Sequence, residues 1–162
     1  MVYDMNMNKK TITLLTSVGS CYIAAAIGSI GMLDSIQSWY HFLRKPFFTP
    51  PDYIFGPVWT ILYTMMGYSL FLIRVQKNSK QNTSAQHWFA LQLILNTLWS
   101  IVFFGLHLPG MAFILIIFLW ISIYMTIREF NSLIPISGKI LLPYLGWVTF
   151  AGVLNAAIVV LN

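Results

Sequence analysis

Apolar residues run along this chain in four stretches without Asp, Glu, Lys or Arg, at positions 11–33, 53–73, 81–127 and 140–162. The third stretch has 47 residues. As one helix at ~1.5 Å per residue it would reach ~70 Å, about twice the hydrocarbon core of a bilayer. It must fold back on itself, and His107-Leu108-Pro109-Gly110 supplies the turn, because Pro cannot continue a helix and Gly accepts a tight bend. The pattern therefore predicts helices near 11–33, 53–73, 86–106, 110–127 and 140–161. Backbone groups in lipid must be satisfied within the segment, and the stretches lack the alternation of barrel strands. The expected fold class is an all-α integral membrane protein, a five-transmembrane-helix bundle forming a single domain over 1–162.

The connection at 34–52 carries Trp39, Tyr40, Phe42, Phe47 and Phe48, more aromatic surface than a solvated turn needs. Asp34 or Ser35 can cap a short amphipathic helix running to Lys45, and Pro46, Pro50 and Pro51 hold the return extended. Two readings fit: an aromatic belt at the membrane interface, or a lid over a cavity between helices.

Composition agrees with the pattern. Hydrophobic residues make up 58% and charged residues 8%, where a soluble domain carries roughly 25% charge. The net charge of +5 is dispersed over connections, which argues against a nucleic-acid partner. Cys21 is the one cysteine, so there is no intrachain disulfide. Lys9 and Lys10 ahead of an apolar run resemble the start of a signal peptide, but a run ending only at Leu33 is long enough to span and is read as the first helix. Counting alternate sides of the bundle, Lys9, Lys10, Arg74, Lys77, Lys80, Arg128 and Lys139 face Arg44 and Lys45. That bias predicts a cytoplasmic N-terminus, with the 34–52 loop on the opposite side.

The same pattern narrows the chemistry. No ionisable Asp, Glu, Lys or Arg lies within a predicted span, which disfavours ion-coupled transport. His41, His87 and His107 fall in loops or near helix ends, which disfavours axial haem ligation. No spacing suggests a metal site, a phosphate loop or a nucleophile-base pair, so no metal is expected. Polar and aromatic stripes remain. Trp88, Gln92, Asn96 and Trp99 or Ser100 share one face of the third predicted helix; Pro143, Trp147, Ala151 and Asn155 share one on the fifth; Phe55, Trp59 and Tyr63 share one on the second. The stripes either enclose a cavity, with Gln92 or Asn96 orienting a ligand's polar edge, or simply pack and bond neighbouring helices.

Four blocks in order carry a family resemblance: Trp39-Tyr40-His41-Phe42-Leu43-Arg44-Lys45-Pro46 with Thr49-Pro50-Pro51; Phe55-Gly56-Pro57-Val58-Trp59-Thr60-Ile61-Leu62-Tyr63; Leu91-Gln92-Leu93-Ile94-Leu95-Asn96-Thr97-Leu98-Trp99-Ser100; and Leu142-Pro143-Tyr144-Leu145-Gly146-Trp147-Val148-Thr149-Phe150-Ala151. The chain resembles the TspO/MBR family, that of the translocator protein or peripheral benzodiazepine receptor, over nearly its whole length. The resemblance implies a five-helix fold, often a homodimer, that binds porphyrins, sterols and drug-like ligands near the first loop and requires no cofactor. It makes Trp59 and Trp147 matches to tryptophans implicated in light-dependent porphyrin degradation, and Asn96 and Ala151 matches to ligand-contacting positions. Together with the stripes and the loop, the candidate ligand-binding set is Trp39, Phe48, Trp59, Tyr63, Gln92, Asn96, Trp99, Pro143, Trp147 and Ala151, with Trp59 and Trp147 as candidate catalytic residues.

The chain departs from the family at Phe48, where many relatives have Trp, and at Ala156 and Val160, where animal members carry a Tyr and an Arg of a proposed cholesterol motif. With no basic tail after Asn162, these differences point to a microbial member in a cytoplasmic membrane rather than the mitochondrial outer membrane. The expected function is a membrane receptor, sensor or carrier of tetrapyrroles, that is porphyrins and haem precursors, or of another hydrophobic small molecule. The alternatives are a light- and oxygen-dependent porphyrin-degrading enzyme and a non-catalytic scaffold of a membrane complex.

Overall fold

A computed structural model of the chain describes residues 6–30, 32–76 and 80–162. Position 31, inside the first predicted helix, and Lys77, part of the charge bias, lie outside the described residues. The helices are α1 (Met7–Gly28), α2 (Met32–Gln37), α3 (Trp39–Phe42), α4 (Asp52–Arg74), α5 (Lys80–Ser100), α6 (Pro109–Leu133), α7 (Pro135–Ile140) and α8 (Leu142–Leu161), with a π-helical turn at Ile101–Gly105 extending α5. Among the described residues five spans are long and apolar enough to cross a membrane: α1, α4, α5 with its π-turn, α6, and α7 with α8. Their outer faces expose large apolar side chains such as Ile12, Leu15, Ile23, Ile61, Ile94, Ile114 and Phe118, a surface suited to lipid rather than water. The protein is a multi-pass helical membrane protein.

The helices outrun the charge-free stretches, because backbone hydrogen bonding does not stop where the hydrocarbon does. Lys9 and Lys10 lie on α1, and Arg128 and Glu129 on α6. At its other end α1 stops at Gly28, not near 33, where the Ser29 N–H donates to the Ala25 carbonyl. Pro135 divides α6 from α7 by forcing Ile134 into an extended conformation. The predicted turn at 107–110 is present: His107 adopts a left-handed φ of 56°, which His tolerates better than bulky residues do, and Pro109 opens α6, where its missing N–H costs nothing.

The first loop forms two short helices, α2 and α3, rather than one running to Lys45. They break at Ser38, whose hydroxyl donates to the Asp34 carbonyl at 2.6 Å. This segment has two faces. Inward, Trp39 stacks on His107 at 4.5 Å, Ser35 bonds the same imidazole, and Tyr40, 3% exposed, packs on Phe103 and Phe104 of the π-turn. Burial, with a smaller contribution from Asp52, pushes the Tyr40 phenol up to about 12, and the Lys45 ammonium lies 4.1 Å above its ring. Outward, Phe42 and Phe47 are 83% and 100% exposed, suited to the interfacial belt. The Arg44 N–H donates to Asn162 Oδ1 at 3.0 Å and Asn162 Nδ2 donates back to the Arg44 carbonyl at 3.1 Å, clasping the loop to the end of α8.

Within the bundle α1 crosses α4 at Gly67, where a Cβ would stand 2.6 Å from Val18 Cα. Only glycine permits this approach. Gly28 serves intrachain packing as well, its carbonyl accepting from the Ser100 hydroxyl of α5 at 2.6 Å.

Candidate ligand cavity

The polar side chains of α4, α5 and α8 meet inside the bundle. Tyr63 Oη donates to Asn96 Oδ1 at 2.7 Å, Asn96 Nδ2 donates to Tyr144 Oη at 2.8 Å, and Tyr144 Oη donates to Gln92 Oε1 at 2.9 Å. One turn along α5, Trp99 Nε1 donates to Asn155 Oδ1 at 3.2 Å, and Asn155 Nδ2 donates to the Pro109 carbonyl at 2.8 Å. The chain Tyr63, Asn96, Tyr144 and Gln92 ties three spans together at one level. It forms because each amide has two distinct ends to satisfy and no water is available at depth.

Beside this chain lies a cavity of about 340 Å³, near the small end of the range for small-molecule sites. Its inner wall is Tyr63, Asn96, Trp99 and Phe104, with Trp59 alongside; α1 supplies Tyr22, Ala25, Ala26 and Gly28; Ser29, Met32, Gly56, Thr60 and Ser100 complete it. Trp59 lies 5.5 Å from Tyr63 and 6.3 Å from Tyr144, ring to ring. The lining is aromatic and small, with the Asn96 amide, the phenols of Tyr22 and Tyr63, the hydroxyls of Ser29, Thr60 and Ser100 and the indoles of Trp59 and Trp99 as its polar groups.

The sequence-predicted residues divide between neighbouring places. Trp59, Tyr63, Asn96 and Trp99 come together in the cavity. Ala151 lines a separate void of about 30 Å³ with Tyr40, Phe55, Trp99 and Asn155. Trp147 packs in the α4–α8 seam against Phe55 at 5.8 Å and Phe150 at 5.5 Å, and Phe48 joins the same seam through Phe150 at 6.3 Å. Trp39 belongs to the loop's packing on His107, and Pro143 is exposed on the first turn of α8. Trp59 and Trp147 therefore face different surroundings, and Trp147 is not among the residues lining the 340 Å³ cavity.

Among the described residues two buried donors have no partner, Gln92 Nε2 and Trp147 Nε1. Each is donor capacity in the interior that no protein group takes up. Residues that sequence reasoning passed over are Tyr22, Tyr144 and Phe104. The tyrosines had a readable signal, since a phenol within an apolar span must find a hydrogen-bond partner. Phe104 had none.

A family model described as the TspO/MBR family matches residues 17–161. The "Tryptophan-rich protein TspO" of Archaeoglobus fulgidus is 43% identical over 155 residues, covering 93% of this chain and 99% of that one. The protein of the same name from Chlorobaculum tepidum is 40% identical over 159 residues, 96% of this chain and 99% of its own. The "Tryptophan-rich sensory protein" of Cereibacter sphaeroides is 33% identical over 156 residues, 96% and 95%.

Proposed function

The chain belongs to the TspO/MBR family, and from that premise we propose that it is a membrane receptor for tetrapyrroles and similar flat, largely apolar ligands, held in the cavity beside Trp59. The observation that carries this reading is the cavity's composition: the aromatic side chains of Trp59, Tyr63, Trp99 and Phe104 around one amide, Asn96. Aromatic faces attract a flat conjugated ligand through offset stacking and buried area. The name of the Cereibacter sphaeroides relative, a sensory protein, fits a receptor better than a scaffold. Binding of this kind needs no metal ligation.

The histidines test the mode of recognition, because none of the three lines the cavity. A variant carrying His41→Ala, His87→Ala and His107→Asn is expected to bind metal-free protoporphyrin within about threefold of the parent, under 1 kcal/mol. Asparagine is chosen at 107 because it tolerates the left-handed backbone there. A loss of tenfold or more, about 1.4 kcal/mol, in a normally folded variant would show that an imidazole takes part and would end the stacking model.

We also propose that the N-terminus is cytoplasmic. Lys9, Lys10, Arg74, Lys80, Arg128 and Lys139 lie at or beyond the same ends of the spans, with Arg44 and Lys45 at the other. In a Cys21→Ser background, an impermeant maleimide added to intact cells should label Ser38→Cys and spare Lys9→Cys. The reverse pattern would invert the orientation.

A further inference from the structure

We infer that the cavity beside Trp59 opens sideways into the bilayer through a window between α1 and α4, and that its ligands reach it from lipid rather than past the first loop. The inference rests on the receptor reading only for the identity of the ligand.

The two helices run antiparallel and touch in a regular register. Val18 meets Gly67 so closely that a Cβ on the glycine would stand 2.6 Å from Val18 Cα. About one turn further toward the first loop, Tyr22 Oη reaches across to Thr64 Oγ1 at 2.8 Å and to the Thr60 carbonyl at 3.3 Å, on the exposed face of the seam. Continuing the register brings Ala26 to the level of Thr60 and Ser29 to the level of Gly56. These four residues are small and exposed, and all of them line the cavity. The seam is thus shut at Val18, latched by Tyr22 and open beyond it, because no side chain there is large enough to fill the gap. Behind the opening stand buried groups, Tyr63 and Asn96. A path therefore runs from the lipid-facing surface to the polar floor without crossing a helix.

On the loop side the described residues are tied down. Tyr40 is buried, Trp39 is stacked on His107, and Arg44 is clasped to Asn162. Water-borne access past these residues would require breaking their contacts, whereas access from lipid requires a turn of the exposed Tyr22 side chain away from Thr64 and Thr60. The window residues lie close in sequence to exposed apolar side chains such as Ile27 and Ile61, so the opening suits compounds that partition into the bilayer.

The test reads access to the cavity independently of tetrapyrrole binding. In a Cys21→Ser background in phospholipid nanodiscs, Ser100→Cys and, separately, Ala25→Cys place a thiol in the cavity wall, and a bilayer-dissolved pyrene maleimide reports access by its reaction rate. Gly56→Phe then fills the window, its Cβ starting in open space with nothing within 4 Å. Gly56→Phe should slow labelling of both thiols about tenfold or more, an added barrier of about 1.4 kcal/mol, while Asn162→Ala, which unclasps the loop, should leave the rates within about twofold. An unchanged rate in Gly56→Phe, no labelling of either thiol, or faster labelling in Asn162→Ala would each overturn the window. If the labelling pattern holds but protoporphyrin does not bind, the window stands and the proposed ligand falls.

Discussion

Gly67→Ala is expected to destabilise the protein by about 1–3 kcal/mol, the range for forcing an extra methyl group into a close-packed contact. The added Cβ would stand 2.6 Å from Val18 Cα and 2.9 Å from Val18 Cγ2, and a backbone atom cannot swing aside as a side-chain tip can. α1 and α4 would have to separate along their length, which would also break the bonds from Tyr22 to Thr60 and Thr64. Gly19→Ala is the matched control on α1, where the new Cβ meets nothing within 4 Å. It should be neutral or gain up to about 1 kcal/mol from helix propensity. Unfolding of both variants in mild detergent separates a tight crossing from a general intolerance of substitution; equal behaviour would mean that Gly67 is not at a contact.

The second large effect is expected at Asn96. Asn96→Leu keeps the approximate volume but removes the acceptor for Tyr63 and the donor to Tyr144. In water-soluble cores an orphaned hydroxyl costs about 1–3 kcal/mol, but in a membrane the unfolded reference also lacks water, and interhelical bonds average about 0.6 kcal/mol with a maximum near 1.7. The membrane figure governs here, so two lost bonds should cost roughly 1–2 kcal/mol. A double-mutant cycle with Tyr63→Phe isolates the pair: the combined variant should lose less than the sum of the singles, by about 0.6 kcal/mol. Strict additivity would mean that the Tyr63–Asn96 bond contributes nothing.

What could be read from the sequence follows from what each pattern encodes. The five spans are written as charge-free apolar runs, and the reversal at His107-Leu108-Pro109-Gly110 is written as turn chemistry, so both were legible. The helix ends were less so, because a charge marks the edge of the hydrocarbon, and helices such as α6 continue past Arg128 into the interface. On α5 the amide stripe Gln92, Asn96 and Trp99 is the buried face, since polar groups in lipid must point at protein. On α8 the i, i+4 stripe from Pro143 through Trp147 was offset by one position. The buried line there runs Tyr144, Val148, Ala151 and Asn155, and Pro143 lies outside it. A single helix in an apolar solvent gives little amphipathic signal to fix its rotation, so the offset had no local cue. Nor could a stripe reveal which neighbour it faces. The cavity's α1 wall and the π-turn that seats Tyr40 arise from pairings between distant segments, such as Val18 with Gly67 and Tyr40 with Phe103 and Phe104.

Whether this cavity is a tetrapyrrole site is tested most directly by one comparison, the affinity of metal-free protoporphyrin for the parent and for Trp59→Ala in nanodiscs, with Trp120→Ala as the reference. Trp59 lines the cavity, while Trp120 lies on the outer face of α6, where its indole N–H donates to Thr149 Oγ1 at 2.8 Å. Saturable binding that weakens about tenfold or more in Trp59→Ala, about 1.4 kcal/mol, and stays unchanged in Trp120→Ala is the expected result. Saturable binding with the same affinity in all three proteins, or uptake no greater than that of protein-free nanodiscs, would contradict it.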